Sequence, residues 1–304
     1  MNKFVLKLSL LISPIIIISL SMEFSLRTIP NSYKVKKEYL DKHSNEIEIL
    51  ILGSSHASMG INPDFIDGVC YNAAMTSQSI DIDYEILKKY KNQWSNLKFI
   101  ILPIDYFTLY SQLKSGIESW RVKDYILYYK IPLESDIKNH LEIFARSLKI
   151  NKRRLISYYF MHKSELYYDE LGNEDFSLKK TDYELVTSGQ NAAKRHTVKN
   201  TVYFAKNLDI LNQIVIFCKN NNVNLILYTS PGYMSYTNFL DSTQLNTTIE
   251  SINKISDKNN NCIYKNFLID SSFNKNDFYD GDHLNKVGAK KLSLKLNDIV
   301  INWP

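Results

Sequence analysis

Apolar positions along this chain follow two patterns. The first is a set of short continuous runs that end abruptly at polar residues. Ile47–Leu52 stops at Gly53-Ser54-Ser55-His56, and Lys98–Ile104 stops at Asp105-Tyr106-Phe107. Val223–Thr229 stops at Ser230-Pro231-Gly232, and two further runs cover Gly68–Ala73 and Cys262–Ile269. Runs of this length without alternation read as strands buried on both faces. The second pattern is helical spacing between the runs. It appears at Ile80, Tyr84 and Leu87 within 79–92, at Phe204, Leu208, Leu211, Val215 and Cys218, over 241–257, and at Ala289, Leu292, Leu296 and Ile299. Strands alternating with helices predict an α/β protein whose mostly parallel, five-stranded sheet carries helices on both sides. Such sheets bind ligands beyond the carboxyl ends of their strands, which makes the break at 53–56 the first place to look for chemistry.

The N-terminus breaks both patterns. Lys3 and Lys7 precede an uncharged run, Leu8–Met22, which approaches membrane-spanning length once its flanking apolar residues are counted. With no small-residue cleavage site near its end, residues 1–28 read as an uncleaved signal anchor in preference to a cleaved signal peptide or a buried core helix. Lys3 and Lys7 favour an inside N-terminus, whereas Arg27, Lys34, Lys36 and Lys37 oppose it. Residues 29–46 read as a charged connector, and 47–304 as the main domain.

The span 106–200 fits neither pattern well. It is rich in Tyr, Lys and Glu, has helical pieces such as 134–149, and reads as an insertion that caps or flanks the site. Its basic residues, among them Arg146, Lys149, Lys152, Arg153 and Arg154, suit either an anionic glycan or headgroup surface or a solvated helix face. His140, His162 and His196 show no partner spacing and read as surface residues.

Composition changes this picture little. The 304 residues are 44% hydrophobic with a net charge of +5, enough for a packed core and too mild to imply nucleic acid. Three widely spaced cysteines, Cys70, Cys218 and Cys262, give neither a metal motif nor a disulfide framework. No Gly-x-Ser-x-Gly elbow, dinucleotide fingerprint or P-loop is present.

The chemistry-bearing candidates lie at opposite ends of the main domain. Ser55 follows the first strand, and Asp280-Gly281-Asp282-His283 precedes the last helix. A serine needs a base within hydrogen-bond reach and an acid to orient that base, parts that His283 and Asp280 can supply. Asp282 is a rival acid, but its adjacency to His283 makes the two side chains diverge. The same argument weighs against His56 as the base for Ser55.

At these residues the chain resembles the SGNH/GDSL hydrolases. Gly53-Ser54-Ser55 matches the family's Gly-Asp-Ser block with Ser54 in place of Asp, and Asp280-x-x-His283 matches its last block. The resemblance implies a three-layer α/β/α, flavodoxin-like fold and a Ser55–His283–Asp280 triad that needs no metal or organic cofactor. Asn72 to Ser77 is similar to the second block, with Ser77 where the family has an oxyanion-hole glycine. The third block is absent. Asp105 stands at that strand end, leaving Tyr106 as a hydroxyl donor beside it. Among family members the anchored N-terminus resembles those that work in the bacterial envelope, such as D-alanine-transfer and alginate O-acetylation proteins. That implies a body outside the cytoplasm and an acylated glycan or wall polymer as substrate, with a membrane-bound O-acyltransferase as a candidate partner. The departures at Ser54, Ser77 and the third block support a second expectation, a non-catalytic accessory protein that binds a glycan or such an acyltransferase.

Overall fold

The structure is a computed structural model that describes residues 2–133, 136–163, 166, 168–173 and 182–303. Its first elements are α1 (Asn2–Thr28), α2 (Ser32–His43), β1 (Ile49–Ile51), α3 (Ser55–Ser58), β2 (Cys70–Asn72), α4 (Ile80–Lys89) and β3 (Phe99–Pro103). Next come α5 (Val122–Asp124), α6 (Glu142–Ala145), α7 (Leu148–Tyr159), α8 (Asp182–His196) and α9 (Phe204–Asn220). The chain closes with β4 (Asn224–Thr229), α10 (Met234–Thr237), α11 (Ser242–Ser256), β5 (Cys262–Asn266) and α12 (Lys286–Ile301). All five expected strands form, each shorter than its apolar run.

Two compact units emerge. One comprises Met1–Glu38 with Ile117–Leu166, and the other Tyr39–Gly116 with Tyr167–Pro304. The span read as one insertion is therefore divided between them. Of the helical stretch expected at 134–149, Glu134 and Ser135 lie outside the described residues. The rest forms a 3-10 turn at Ile137–His140, then α6, and then the start of α7. Residues 29–46, expected as a connector, mostly form α2, because Tyr33, Lys36 and Leu40 recur at helical spacing and are buried.

In the first unit, α1 is a 27-residue helix whose span Lys3–Thr28 is long and apolar enough to cross a membrane. A signal sequence has the same properties. The end of α1 is held by the insertion. The Glu23 carboxylate accepts the backbone N–H groups of Glu142 (3.1 Å) and Ile143 (2.9 Å). Glu142 is itself buried against Lys123 and Arg154, and it accepts a hydrogen bond from the Tyr128 hydroxyl.

In the second unit the sheet is entirely parallel, with strand order β2-β1-β3-β4-β5. Leu50, Ile51, Ile100, Ile101, Leu225 and Ile226 are all fully buried, so both faces of the central strands are covered. This is why the runs lack alternation. The chain reverses its direction of growth at β1, and the crevice at that switch lies beyond the carboxyl ends of β1 and β3.

Gly53 makes the turn out of β1. Its φ is +113°, and an added Cβ would lie 2.6 Å from Pro103 Cγ. Its N–H donates to the buried Asp83 carboxylate (2.9 Å), which also accepts Gln78 Nε2 (2.6 Å). Gly53→Ala combines a disfavoured backbone conformation with overpacking and is expected to cost about 2–4 kcal/mol, read as a lowered urea midpoint.

Candidate active site

Immediately after that turn, Ser54 caps α3, its hydroxyl accepting the His56 N–H (3.3 Å). Ser55 is thereby fixed as the first helical residue, where its own N–H has no preceding helical carbonyl to bond. The Ser55 hydroxyl points at His283 and lies 2.8 Å from Nε2. On the other side of the ring, His283 Nδ1 lies 2.9 Å from Asp280 Oδ1. That oxygen also accepts the backbone N–H groups of His283 (2.9 Å) and Asp282 (3.1 Å), so the acid is locked by its own loop. Ser55, His283 and Asp280 thus form one continuous hydrogen-bonded line.

The loop is stiff for local reasons. Phe278 and Leu284 form an antiparallel bridge, and Asn285 caps α12 by accepting Val287 N–H and Gly288 N–H. Gly281 packs where a Cβ would lie 2.1 Å from Gly189 Cα in α8, and its N–H donates to Ser188 Oγ (3.0 Å). Part of the span expected as an insertion therefore supports the site directly.

Behind the line lies a second, buried set of charges. His56 Nδ1 is 2.8 Å from Asp105 Oδ2, and His56 Nε2 is 3.4 Å from Asp282 Oδ2. All three side chains are buried. Burial opposes a charge on His56, but the two carboxylates outweigh it and raise its pKa to about 10. Burial likewise opposes ionisation of Asp105 and Asp282. Facing His56 holds Asp105 below the usual carboxylate range, and facing His283 and His56 holds Asp282 well below it. His56 is therefore a buried imidazolium clamped between two carboxylates, set edge-on to His283 with ring centroids 5.0 Å apart. The other oxygen of Asp282 lies 3.6 Å from His283 Nδ1, farther than Asp280. The His283 pKa is raised, because Asp282 and Asp280 outweigh the effect of burial.

His196 is not the surface residue its sequence context suggests. Its ring packs on Phe107, and Nδ1 shares a 3.1 Å hydrogen bond with the Tyr236 hydroxyl. It also lies 4.0 Å from Asp282, and burial pulls its pKa down to about 3, leaving it neutral. His56, Asp282 and His283 bring ligand-capable atoms within 4.8 Å of one another. Their ring nitrogens already face Asp105, Asp282, Ser55 and Asp280, an arrangement suited to holding protons.

The remaining candidates are placed as follows. Asn72 is fully buried and donates its amide hydrogens to the carbonyls of Ala57 (3.0 Å) and Ile61 (2.9 Å), tying α3 to β2. Asp105 holds His56 and accepts the Ser230 N–H (2.8 Å). The Tyr106 hydroxyl is buried, accepts the Asp241 N–H (3.0 Å) and bonds Thr197. The side chains of Asn72, Asp105 and Tyr106 are thus turned to internal partners rather than offered as donors. Ser77 sits in a turn closed by Gln78 N–H to Met75 C=O (2.9 Å) and adopts φ +61°, the left-handed region that favours glycine.

No family model matches this chain, and no curated protein matches it. Among solved structures, one match is a protein from Streptococcus pneumonia provisionally described as a platelet activating factor. It is 12% identical, the match covers 96% of this chain and 99% of that one, and the TM-score is 0.43.

Proposed function

We propose that this chain is an SGNH-type serine esterase or O-acyltransferase with a three-layer, flavodoxin-like domain. In this reading α1 anchors it in the membrane with its body outside the cytoplasm. It adds or removes acyl groups, acetyl in the first instance, on an envelope polysaccharide or wall glycan. The observation that carries the reading is the line Ser55–His283–Asp280, with links of 2.8 and 2.9 Å.

His283 Nε2 takes the Ser55 proton as Oγ attacks the ester carbonyl carbon. Backbone N–H groups of Ser55 and Ser77 receive the oxyanion, which does not require the side chains turned inward at Asn72, Asp105 and Tyr106. Collapse releases the alcohol, which leaves with the proton held on His283. Water, deprotonated by the same imidazole, then cleaves the acyl-Ser55 ester. A sugar hydroxyl in place of water makes the second half-reaction a transfer.

His283 must be neutral to begin the cycle. Because its pKa is raised above 6.5, the fraction able to act as a base grows only as pH climbs past that value. A fluorophosphonate probe on the full-length protein is expected to label Ser55, with a rate whose acid limb has its midpoint above pH 6.5. Labelling that bypasses Ser55, or none at any pH, would leave the accessory-protein reading, which the inward-turned oxyanion candidates favour.

A further inference from the structure

We propose that the 137–161 segment of the first unit is a docking surface for the headgroup layer of the bilayer that α1 spans. This rests on the reading that α1 stays in the membrane. The uncharged stretch of α1 ends at Met22, and residues 23–28 are gripped by the insertion. Arg27 Nη2 donates to the His140 carbonyl (3.1 Å), and the Tyr159 hydroxyl donates to the Ser25 carbonyl (3.1 Å). Residues 140–143 and the end of α7 therefore sit beside the last turn and a half of the span. Six helical residues rise about 9 Å, and the polar layer on each side of the hydrocarbon core is about 5–7 Å deep. The grip thus fixes this segment at headgroup depth.

Its surface chemistry fits that depth. Ile137, Phe144, Leu148, Ile156, Phe160 and Met161 are exposed, Phe160 at 78% and Phe144 at 62%. Single exposed apolar residues are ordinary, but such a concentration in one short segment is not. On α7, Leu148, Lys152, Ile156 and Tyr159 fall at i, i+4, i+8 and i+11 and share one face, with Lys149 and Arg153 exposed on its flank. Apolar and aromatic side chains rimmed by cations mark helices that lie in a membrane interface, and the cations favour anionic lipid. The Lys and Arg residues of this segment divide accordingly, apart from Lys138, which is exposed and paired with Asp136. Arg154 is buried against Glu142 and Arg146 stacks on Trp120, whereas Lys149, Lys152 and Arg153 face outward.

The test is depth measurement by nitroxide labelling of the full-length chain in nanodiscs of phosphatidylglycerol and phosphatidylcholine. The native cysteines are buried, so single labels can be placed at Phe144→Cys and Phe160→Cys, with Ile12→Cys in α1 and Phe239→Cys on the second unit as references. Collision with a water-soluble nickel chelate is expected to be at least about threefold lower at 144 and 160 than at 239, with 12 fully shielded. The triple variant K149E/K152E/R153E should raise the value at 144 toward that at 239. Values at 144 and 160 equal to that at 239, with 12 shielded, overturn the docking surface and leave the anchor standing. Exposure at 12 overturns both. A triple variant without effect overturns the role of anionic headgroups.

Discussion

Ser55→Ala is expected to lower turnover of p-nitrophenyl acetate by at least about 10³-fold, and His283→Ala to do so to a similar degree. The two losses match because the groups act as one unit: an imidazole with no hydroxyl to deprotonate contributes little, and a hydroxyl without its base is a weak nucleophile. Their double variant should be no worse than either single one. Ser55 is only partly buried and its side chain has one partner in the site, so the alanine variant keeps its melting temperature and the loss is chemical. Wild-type turnover no faster than that of the alanine variant would remove the enzyme reading.

His56→Leu is expected to lower stability more than Gly53→Ala does. Leucine nearly preserves the volume but leaves Asp105 and Asp282 buried without their shared cation. Breaking a buried ion pair from one side costs about 3–5 kcal/mol, which lowers the melting temperature by on the order of 10 °C. The sign of the pH dependence follows from the same residues. His56 has a folded pKa of about 10 against an ordinary 6.5, so its contribution is complete below 6.5 and is lost as pH rises toward 10. Asp105 and Asp282 are depressed below 3.8, so theirs is complete above 3.8 and is lost as pH falls. The contributions of these three groups are therefore all complete between 3.8 and 6.5, and the alkaline slope should be shallower in His56→Leu than in wild type, the remainder coming from the raised pKa of His283. Removing the orphaned charges in H56L/D105N/D282N should recover part of the loss. A His56→Leu variant within 1 kcal/mol of wild type, on the scale of ordinary surface changes, would mean that the clamp does not hold the fold.

Which features could be read from the sequence follows from the range of the interactions that set them. The strands were legible because a parallel sheet covered on both faces demands unbroken apolar runs, as at Leu50 and Ile51. The line from Ser55 to Asp280 was legible because each partner carries a local signal, a strand-end serine in one case and an acid three residues before a histidine in the other. The charge clamp was not. His56 was set aside as the base for Ser55 on adjacency alone, and the Ser55 hydroxyl pairs with His283 instead, although adjacency did not keep Asp282 away from His283. Its actual partners, however, are 49 and 226 residues away, and although Asp105 and Asp282 both drew notice, neither carries a signal that points to His56. Asp105 drew notice for standing where a donor was expected, yet what it binds is visible only once β1, β3 and the 280–283 loop meet. The α2 helix was missed because one of its three inward positions, Lys36, is itself charged, which breaks the apolar spacing of Tyr33 and Leu40. Gly189 carried no signal at all until Gly281 was seen packed against it.

Ser55 and His283 are 228 residues apart, joined beyond a sheet of which one edge strand, β5, is made last. A ribosome that has finished α3 has made Ser55 but none of the 280–283 loop that bonds it. Asp280, Asp282 and His283 all follow β5, so a chain interrupted before residue 280 carries Ser55 without His283 and His56 without one of its two counter-charges. The Ser55–His283–Asp280 line can therefore close only after all five strands have been made, and a partly made chain lacks it.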